Sequence, residues 1–432
     1  MNTYRGYDSL PGDTGGSNSA FGAFTLQHNT SGTENTAIGV SALIDNSTGI
    51  NNNALGTYSL FNNSTGSYNT GAGNAALSNN TTGTYNTGVG FDALDGSSGN
   101  TALTGTENVA LGDYALSKTS GAASYNTAVG GQALLNNTGS GCTAVGYQTL
   151  TATTTGYHDT AMGSYALPRV TTGGYNTADG SGSLNSNVTG SYNAAVGDSA
   201  LFEATGSNNT AIGTFAMENV TTGASNIALG YNAGSSLTSG SNNIDIGSPG
   251  ASGEAATIRI GGSGTQTKIF VAGIRGVAVS GAQPVAVNAQ GQLGVKASSA
   301  RFKEAIQPMG DKSSAILALH PVSFRYKKAL DASGTPEFGL IAEEVAKVDR
   351  DLVFCDENGK PFTVRYDEVN AMLLNEFLKE HHTVEAQTTT IGALRKSVAR
   401  QESQIKALSD GLQKVSARLE VQKPVARVVS NQ

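Results

Sequence analysis

The pattern of small, apolar and polar residues divides the chain into two regimes. Over residues 1–250 a short unit recurs, seen as NTAIGVSAL, NNALGTYSL, NTAVGGQAL and NTAIGTFAM. Its glycine falls at Gly22, Gly39, Gly56, Gly73 and Gly90, resumes at Gly112, and continues to Gly247, fourteen units in all. Nine of the thirteen intervals are 17 residues, two are 16, one is 18, and one, from Gly90 to Gly112, is 22. Self-similarity at a fixed short period marks a stacked architecture in which each coil needs its neighbours. Within the unit, T-A-I-G and T-A-V-G alternate polar with apolar as a half-buried strand does. The segment that follows, such as Thr57–Leu60, is expected to be a second strand, with tight glycine turns closing each coil. Stacking should bury Ala37, Ile38, Ala54, Leu55, Ala144, Val145, Ala211 and Ile212, or leave one of each pair at a subunit interface. At ~4.8 Å per coil the array predicts a rod of roughly 60 Å, with an outward loop near Asp95–Leu103 in the 22-residue interval.

After residue 250 the period disappears. Residues 251–296 hold short β-rich runs, TIRIGGSG, TKIFVAGIRGVAV and PVAVNAQGQLGV, separated by glycine turns, and read as a compact β connector. Residues 297–383 carry neither the 17-residue period nor the heptad and stand apart as a separate domain. From 384 to 423 the pattern becomes a heptad. Val384, Ile391, Val398, Ile405, Leu412 and Leu419 take one seam position; Leu394, Leu408 and Val415, with Gln387 and Gln401, take the other. Leucine at both positions toward the end argues against a dimer alone, so this helix is expected to form the seam of a homotrimer. Residues 424–432, beginning at Pro424, are expected to be a flexible tail.

Composition sharpens this picture. There are 56 glycines in 432 residues, only 14% charged residues and no tryptophan. Those proportions exclude a helical or doubly wound fold for the repeats, and the glycines lack the period of three that collagen requires. Residues 1–250 carry three basic residues, Arg5, Lys118 and Arg169, against fourteen acidic ones, a net of −11, while the remainder is at +4. The repeat region therefore lacks a nucleic-acid footprint, and no nucleic-acid partner is expected. No stretch approaches the ~18 apolar residues of a spanning helix, so no membrane insertion is expected. The start, MNTYRGYDSL, does not read as a signal peptide. Cys142 and Cys355 lie in differently patterned regions and imply no disulfide framework.

The candidate chemistry is sparse. Ser298 and Lys303 stand five residues apart, a spacing common in solvated linkers. It becomes interesting because a serine hydroxyl needs a base and a lysine with a lowered pKa can supply one. His381 and His382 follow an amphipathic segment and are expected to face solvent; His320, before Pro321, reads as a local structural residue. Glu343 and Glu344 are adjacent on a helix and so point apart. No metal site and no cofactor is expected.

Two resemblances add to this reading. The N-x-A-x-G-x-x-(A/S) unit resembles the head repeats of trimeric YadA-like adhesins, which implies a left-handed parallel β-roll packed as a trimer. The segments Ala297–Ile306, HPVSFRYK (320–327), GLIAEEVAKV (339–348) and VRYDEVNAMLLNEFLKEH (364–381) together resemble the C-terminal intramolecular chaperone of phage tail fibres and endosialidase tailspikes, an autocleaving peptidase family. The family's Ser-Asp-x-x-(Leu/Phe)-Lys pattern is matched by Ser298, Phe302 and Lys303, with Ser299 where aspartate is common. The resemblance implies Ser298 as nucleophile, Lys303 as general base, and a cut at Ala297, Ser298 or Ser299. The expected fold is thus mainly β: a trimeric β-solenoid rod, a β connector, an α+β chaperone domain and a coiled-coil helix. The expected protein is a tail-fibre or injection-system fibre subunit on a phage or phage-like particle, whose rod meets a cell-surface receptor or glycan. The competing expectation is a bacterial surface adhesin with a retained, non-catalytic trimerisation cap. A carbohydrate-degrading tailspike is disfavoured, because the repeats offer no clustered pair of carboxylates.

Overall fold

The computed structural model describes residues 1–96, 102–262, 264–272, 274, 279–356 and 358–421. They fall into two units, Met1–Gly276 and Val277–Gln432.

In the first unit every repeat contributes one three-residue strand to a parallel sheet, in chain order, from β1 (Thr3–Arg5) to β16 (Ile258–Ile260). Register follows the repeat: Thr36, Ala37 and Ile38 pair with Asn53, Ala54 and Leu55 on the next coil. The fourteen repeat glycines account for the strands between these two; T-Y-R-G and I-R-I-G add a coil at each end. The expected second strand is not there. Thr57–Leu60 is a turn, with Tyr58 at φ 59° and Leu60 at φ 52°. Two non-glycine residues in the left-handed region cost energy. The stack offsets that cost, because Tyr58 N–H donates backward to Val40 O at 3.0 Å and Leu60 N–H donates forward to Ala76 O at 2.9 Å. The curl also turns Leu60 fully into the core.

The pairs expected to be buried divide. Ala37, Ala54, Ala144 and Ala211 are fully buried, whereas Ile38, Leu55, Val145 and Ile212 lie on the outer face, 37–46% exposed. Leucines of the turn, such as Leu43, Leu60, Leu77 and Leu94, fill the interior instead. One leucine per coil contributes about 1.5–3 kcal/mol, far below the ordering cost of a coil, so stability accrues only by stacking. The repeat glycine is required by contact as well as conformation. Gly56 has φ 136°, and a Cβ there would lie 2.3 Å from Gly73 O.

Asparagine owes its abundance to two interior ladders. In one, Asn35 accepts the backbone N–H of Asn52 on its Oδ1 (2.9 Å) and donates its Nδ2 to Gly49 O (2.9 Å). In the other, Asn46, Asn63 and Asn80 each donate Nδ2 to the Oδ1 one coil earlier, at 2.7–2.8 Å. An amide both donates and accepts, so it can be repeated in a buried stack without an orphaned group. Of the outward loop expected near Asp95–Leu103, residues 97–101 lie outside the described residues. Leu103 is fully buried and bridges to Asn80 and Gly121.

The expected compact connector is also corrected. Ile258–Ile260 is the last coil of the solenoid, and the described residues of 261–296 form only a hairpin of β17 (Ala286–Val287) and β18 (Leu293–Gly294). Ile269, Phe270 and Val287 are 65–90% exposed. A two-stranded ribbon alone has no second layer to bury Val287 against.

The second unit has two further antiparallel pairs. β19 (Val322–Phe324) pairs with β20 (Glu337–Gly339), and β21 (Val353–Cys355) pairs with β22 (Pro361–Val364). Helix α1 (Ala342–Val348) packs Val345 into a small core with Leu352, Val353, Val364 and Met372. Helix α2 runs unbroken over Tyr366–Val421, 56 residues or about 84 Å. It starts 18 residues before the expected boundary at 384, because Met372 docks on the core and the Tyr366 hydroxyl accepts the N–H of Leu340 at 3.1 Å. From residue 384 to 421 every position is exposed. The expected tail, 424–432, lies outside the described residues. Among the described residues no helix is long and apolar enough to cross a membrane.

Candidate self-cleavage site

The chain around the candidate dyad is shaped by one 3-10 turn, Ala300–Phe302. Its hydrogen bonds run from Phe302 N–H to Ser299 O and from Lys303 N–H to Ala300 O, each 3.0 Å. In an extended chain, residues five apart are separated by about 17 Å. The turn folds Lys303 back so that its Nζ donates to Ser298 Oγ at 3.4 Å. Ser299 precedes the turn at φ −64°, ψ 141°, and its side chain caps nothing. Phe302 is exposed, and the Arg301 guanidinium lies 4.6 Å from its ring centroid. Residues 297–308 are all exposed. The turn thus brings the serine hydroxyl and the lysine amine together within an exposed segment.

A second serine–lysine contact lies nearby in the fold and has different chemistry. Ser313 is fully buried. Its Oγ donates to Glu376 Oε1 and accepts from Asn375 Nδ2 at 2.6 Å and Lys379 Nζ at 3.3 Å. The Glu376 contact, followed by Asp311, holds the Lys379 ammonium above its usual pKa. A lysine held toward its charged form and an inaccessible hydroxyl make a latch between the 3-10 helix Gly310–Ala318 and α2, not a nucleophile and base.

Sequence reasoning missed the groups upstream of the dyad. Lys296 Nζ donates to Glu368 Oε1 at 3.1 Å and Asp367 Oδ2 at 3.3 Å, in the first turn of α2. Glu368 also accepts from Arg365 Nη2 at 2.9 Å. Glu368, then Asp367, holds the Lys296 ammonium above its usual pKa. No local pattern could reveal a contact across 72 residues; the acidic pair beginning the helix was its only trace.

The other singled-out residues are dispersed. His320 lines a cleft of about 450 Å³ with Leu319, Leu340, Ile341, Glu344 and Val345, apart from the dyad. Glu343 sits in the first turn of α1. His381 and His382 have exposed side chains beside Glu385, at 3.4 and 3.6 Å. Among the described residues no three metal-binding side chains cluster.

The family described as chaperone of endosialidase matches residues 298–354. The match begins at Ser298 and covers the turn, strands β19 and β20, helix α1 and the first two residues of β21. No curated protein and no solved structure matches the chain. The class defined is a β-solenoid protein that carries a chaperone-of-endosialidase domain. That domain's family is one of autoproteolytic intramolecular chaperones.

Proposed function

We propose that this chain is the subunit of a trimeric tail fibre, of a phage or a related injection system, whose C-terminal domain assembles three chains and is then released by self-cleavage. The observation that carries the reading is the 3.4 Å contact between Lys303 Nζ and Ser298 Oγ, at the first residue of the family match. Assembly is supported by the helix. Val384, Ile391, Leu394, Val398, Ile405, Leu408, Leu412, Val415 and Leu419 are 46–73% exposed on α2, an apolar seam that partners would cover. The solenoid offers a second such surface, the outer apolar column of Ile38, Leu55, Val145 and Ile212, suited to the trimeric packing of YadA-like head repeats. Parallel in-register stacking is slow to find, and a helix that gathers three chains sets register first. The solenoid then serves as the receptor-facing rod or spacer, toward a cell-surface receptor or glycan.

In the proposed reaction, neutral Lys303 takes the Ser298 Oγ proton as the oxygen attacks the Ala297 carbonyl carbon. A five-membered ring forms and collapses as the Ala297–Ser298 C–N bond breaks, the proton passing from Lys303 to the departing nitrogen. The resulting ester is hydrolysed by water to the Ala297 carboxylate and a free Ser298. No metal or cofactor is invoked, and holding both groups in one turn supplies much of the rate.

A surface adhesin retaining the domain as a trimerisation cap is the second reading, favoured by the open position of both dyad side chains. Intact mass spectrometry decides between them. Self-cleavage predicts a fragment of about 15 kDa, at ~110 Da per residue, from the wild-type chain and none from Ser298→Ala, Lys303→Ala or Lys303→Arg, since arginine stays protonated. A folded wild-type trimer that stays whole supports the cap. Cleavage of Ser298→Ala defeats the assigned nucleophile. The fragment termini report whether the bond before or after Ser298 is cut.

A further inference from the structure

The segment entering the candidate cleavage site is held at both ends. Downstream, the 3-10 turn Ala300–Phe302 positions Lys303. Upstream, Lys296, one residue before Ala297, reaches Asp367 and Glu368 at 3.3 and 3.1 Å. These carboxylates stand in the first turn of α2, the helix that bears the apolar seam. Glu368 is itself fixed by Arg365 at 2.9 Å, and Arg365 Nη1 donates to Asp351 O at 2.9 Å, beside the small core. The chain from the core to Lys296 is therefore a continuous run of charge-assisted contacts, whereas the residues around Lys296 have no buried anchor of their own.

We propose that Lys296 is a positioning residue for self-cleavage, clamping the upstream side of the scissile bond to the start of α2 so that the bond is presented to Ser298 only when that helix is in place. This rests on the self-cleavage reading above and adds its regulation. Attack needs the Ala297 carbonyl within about 3–3.5 Å of the Ser298 oxygen. An untethered hairpin connector visits that geometry rarely; pinning residue 296 restricts the two peptide units between it and the nucleophile. The clamp also separates Lys296 from Lys303 in role. The first is bound to two carboxylates and stays an ammonium, which suits an anchor and not a base. Because Lys296 and Asp367 are 58% and 75% exposed and Glu368 is half-buried, the effect is bounded. An exposed pair of this kind alters a rate by about fivefold at most, and salt removes it.

The test follows cleavage of newly made full-length chain at about 0.05 M and about 0.5 M sodium chloride. Wild type is expected to cleave about threefold to fivefold faster at low salt. Lys296→Met should lose that advantage and its salt dependence together, and Lys296→Arg should restore both. The partner variant Asp367→Asn with Glu368→Gln should match Lys296→Met, and combining the two should slow cleavage no further. Wild-type rates in Lys296→Met at low salt, additive effects of the two sides, or failure of arginine to rescue would overturn the clamp. A second readout does not depend on cleavage: in the Ser298→Ala chain, amides of residues 297–303 should exchange faster when Lys296→Met is added. Unchanged exchange there, with normal wild-type cleavage, sinks the clamp and spares the peptidase. Faster exchange with no wild-type cleavage keeps the tether, removes its catalytic meaning and sinks the self-cleavage reading.

Discussion

Asp159 occupies a position where the interior ladder normally has asparagine. Its Oδ1 accepts from Asn176 N at 2.8 Å and Asn176 Nδ2 at 3.1 Å, as an asparagine oxygen would. Its Oδ2 lies against Gly156 as the Nδ2 of Asn52 lies against Gly49, but has no hydrogen-bond partner. Asparagines in this ladder donate there to a glycine carbonyl about fourteen residues on, as Asn176 does to Gly190 O at 3.0 Å. Only a protonated Asp159 can do the same. Burial pushes its carboxyl from 3.8 up to about 6, against the lowering effect of the Asn176 bonds. A folded-state pKa above the unfolded one means the fold binds the extra proton, so the contribution is complete below pH 3.8 and lost as pH rises through about 6. The loss amounts to about 3 kcal/mol. Asp159→Asn puts a permanent donor at Oδ2. It should therefore stabilise the solenoid by up to about 3 kcal/mol at pH 8 and by little at pH 4. The assay is amide exchange at β9 (Thr143–Val145), β10 (Thr160–Met162) and β11 (Thr177–Asp179) in both proteins at both pH values, with thermal melting alongside. Taking the difference between the two proteins cancels the other carboxylates. An equal gain at pH 4 and pH 8, or none at pH 8, would refute the protonated-rung argument.

Four further outcomes are expected. In the cleavage-blocked Ser298→Ala chain, replacing Ile405 and Leu408 by aspartate should convert the assembly from three times 43.9 kDa to single chains in sedimentation equilibrium, and a monomeric Ser298→Ala chain would defeat the trimer altogether. Gly56→Ala should cost more than about 3 kcal/mol, because both φ and the approach to Gly73 O forbid a side chain, while Leu60→Ala should cost about 2–5 kcal/mol by cavity formation; amide exchange in the neighbouring coils reads both, and native protection in Gly56→Ala would count against the stacked glycine column. Cys142, whose thiol burial pushes up to about 11, should resist alkylation in the native protein while exposed Cys355 labels readily, as peptide mapping would show.

The sequence by itself determined whatever depends on spacing along the chain. The recurrence of Gly22, Gly39 and Gly56 set the coil and its register, since one coil's contacts repeat in the next. The run from Val384 to Leu419 placed an apolar stripe on a helix for the same reason. Ser298 and Lys303 stood out through the family pattern they match, and a single turn suffices to bring their side chains together. Tertiary structure decided what depends on neighbouring coils or distant segments. Thr57–Leu60 alternates like a strand, yet Tyr58 and Leu60 take left-handed backbone because bonds to the coils on either side and the burial of Leu60 outweigh local preference. Which of Ala54 and Leu55 faces inward followed from that curl, and the asparagine ladders emerged only once coils stacked. Helix α2 begins at Tyr366 rather than Val384 because Met372 and the Tyr366 hydroxyl find partners on the core. Lys296 meets Glu368 because folding brings a linker to a helix start. A period records contacts between equivalent residues; it carries no trace of contacts between residues that occur once.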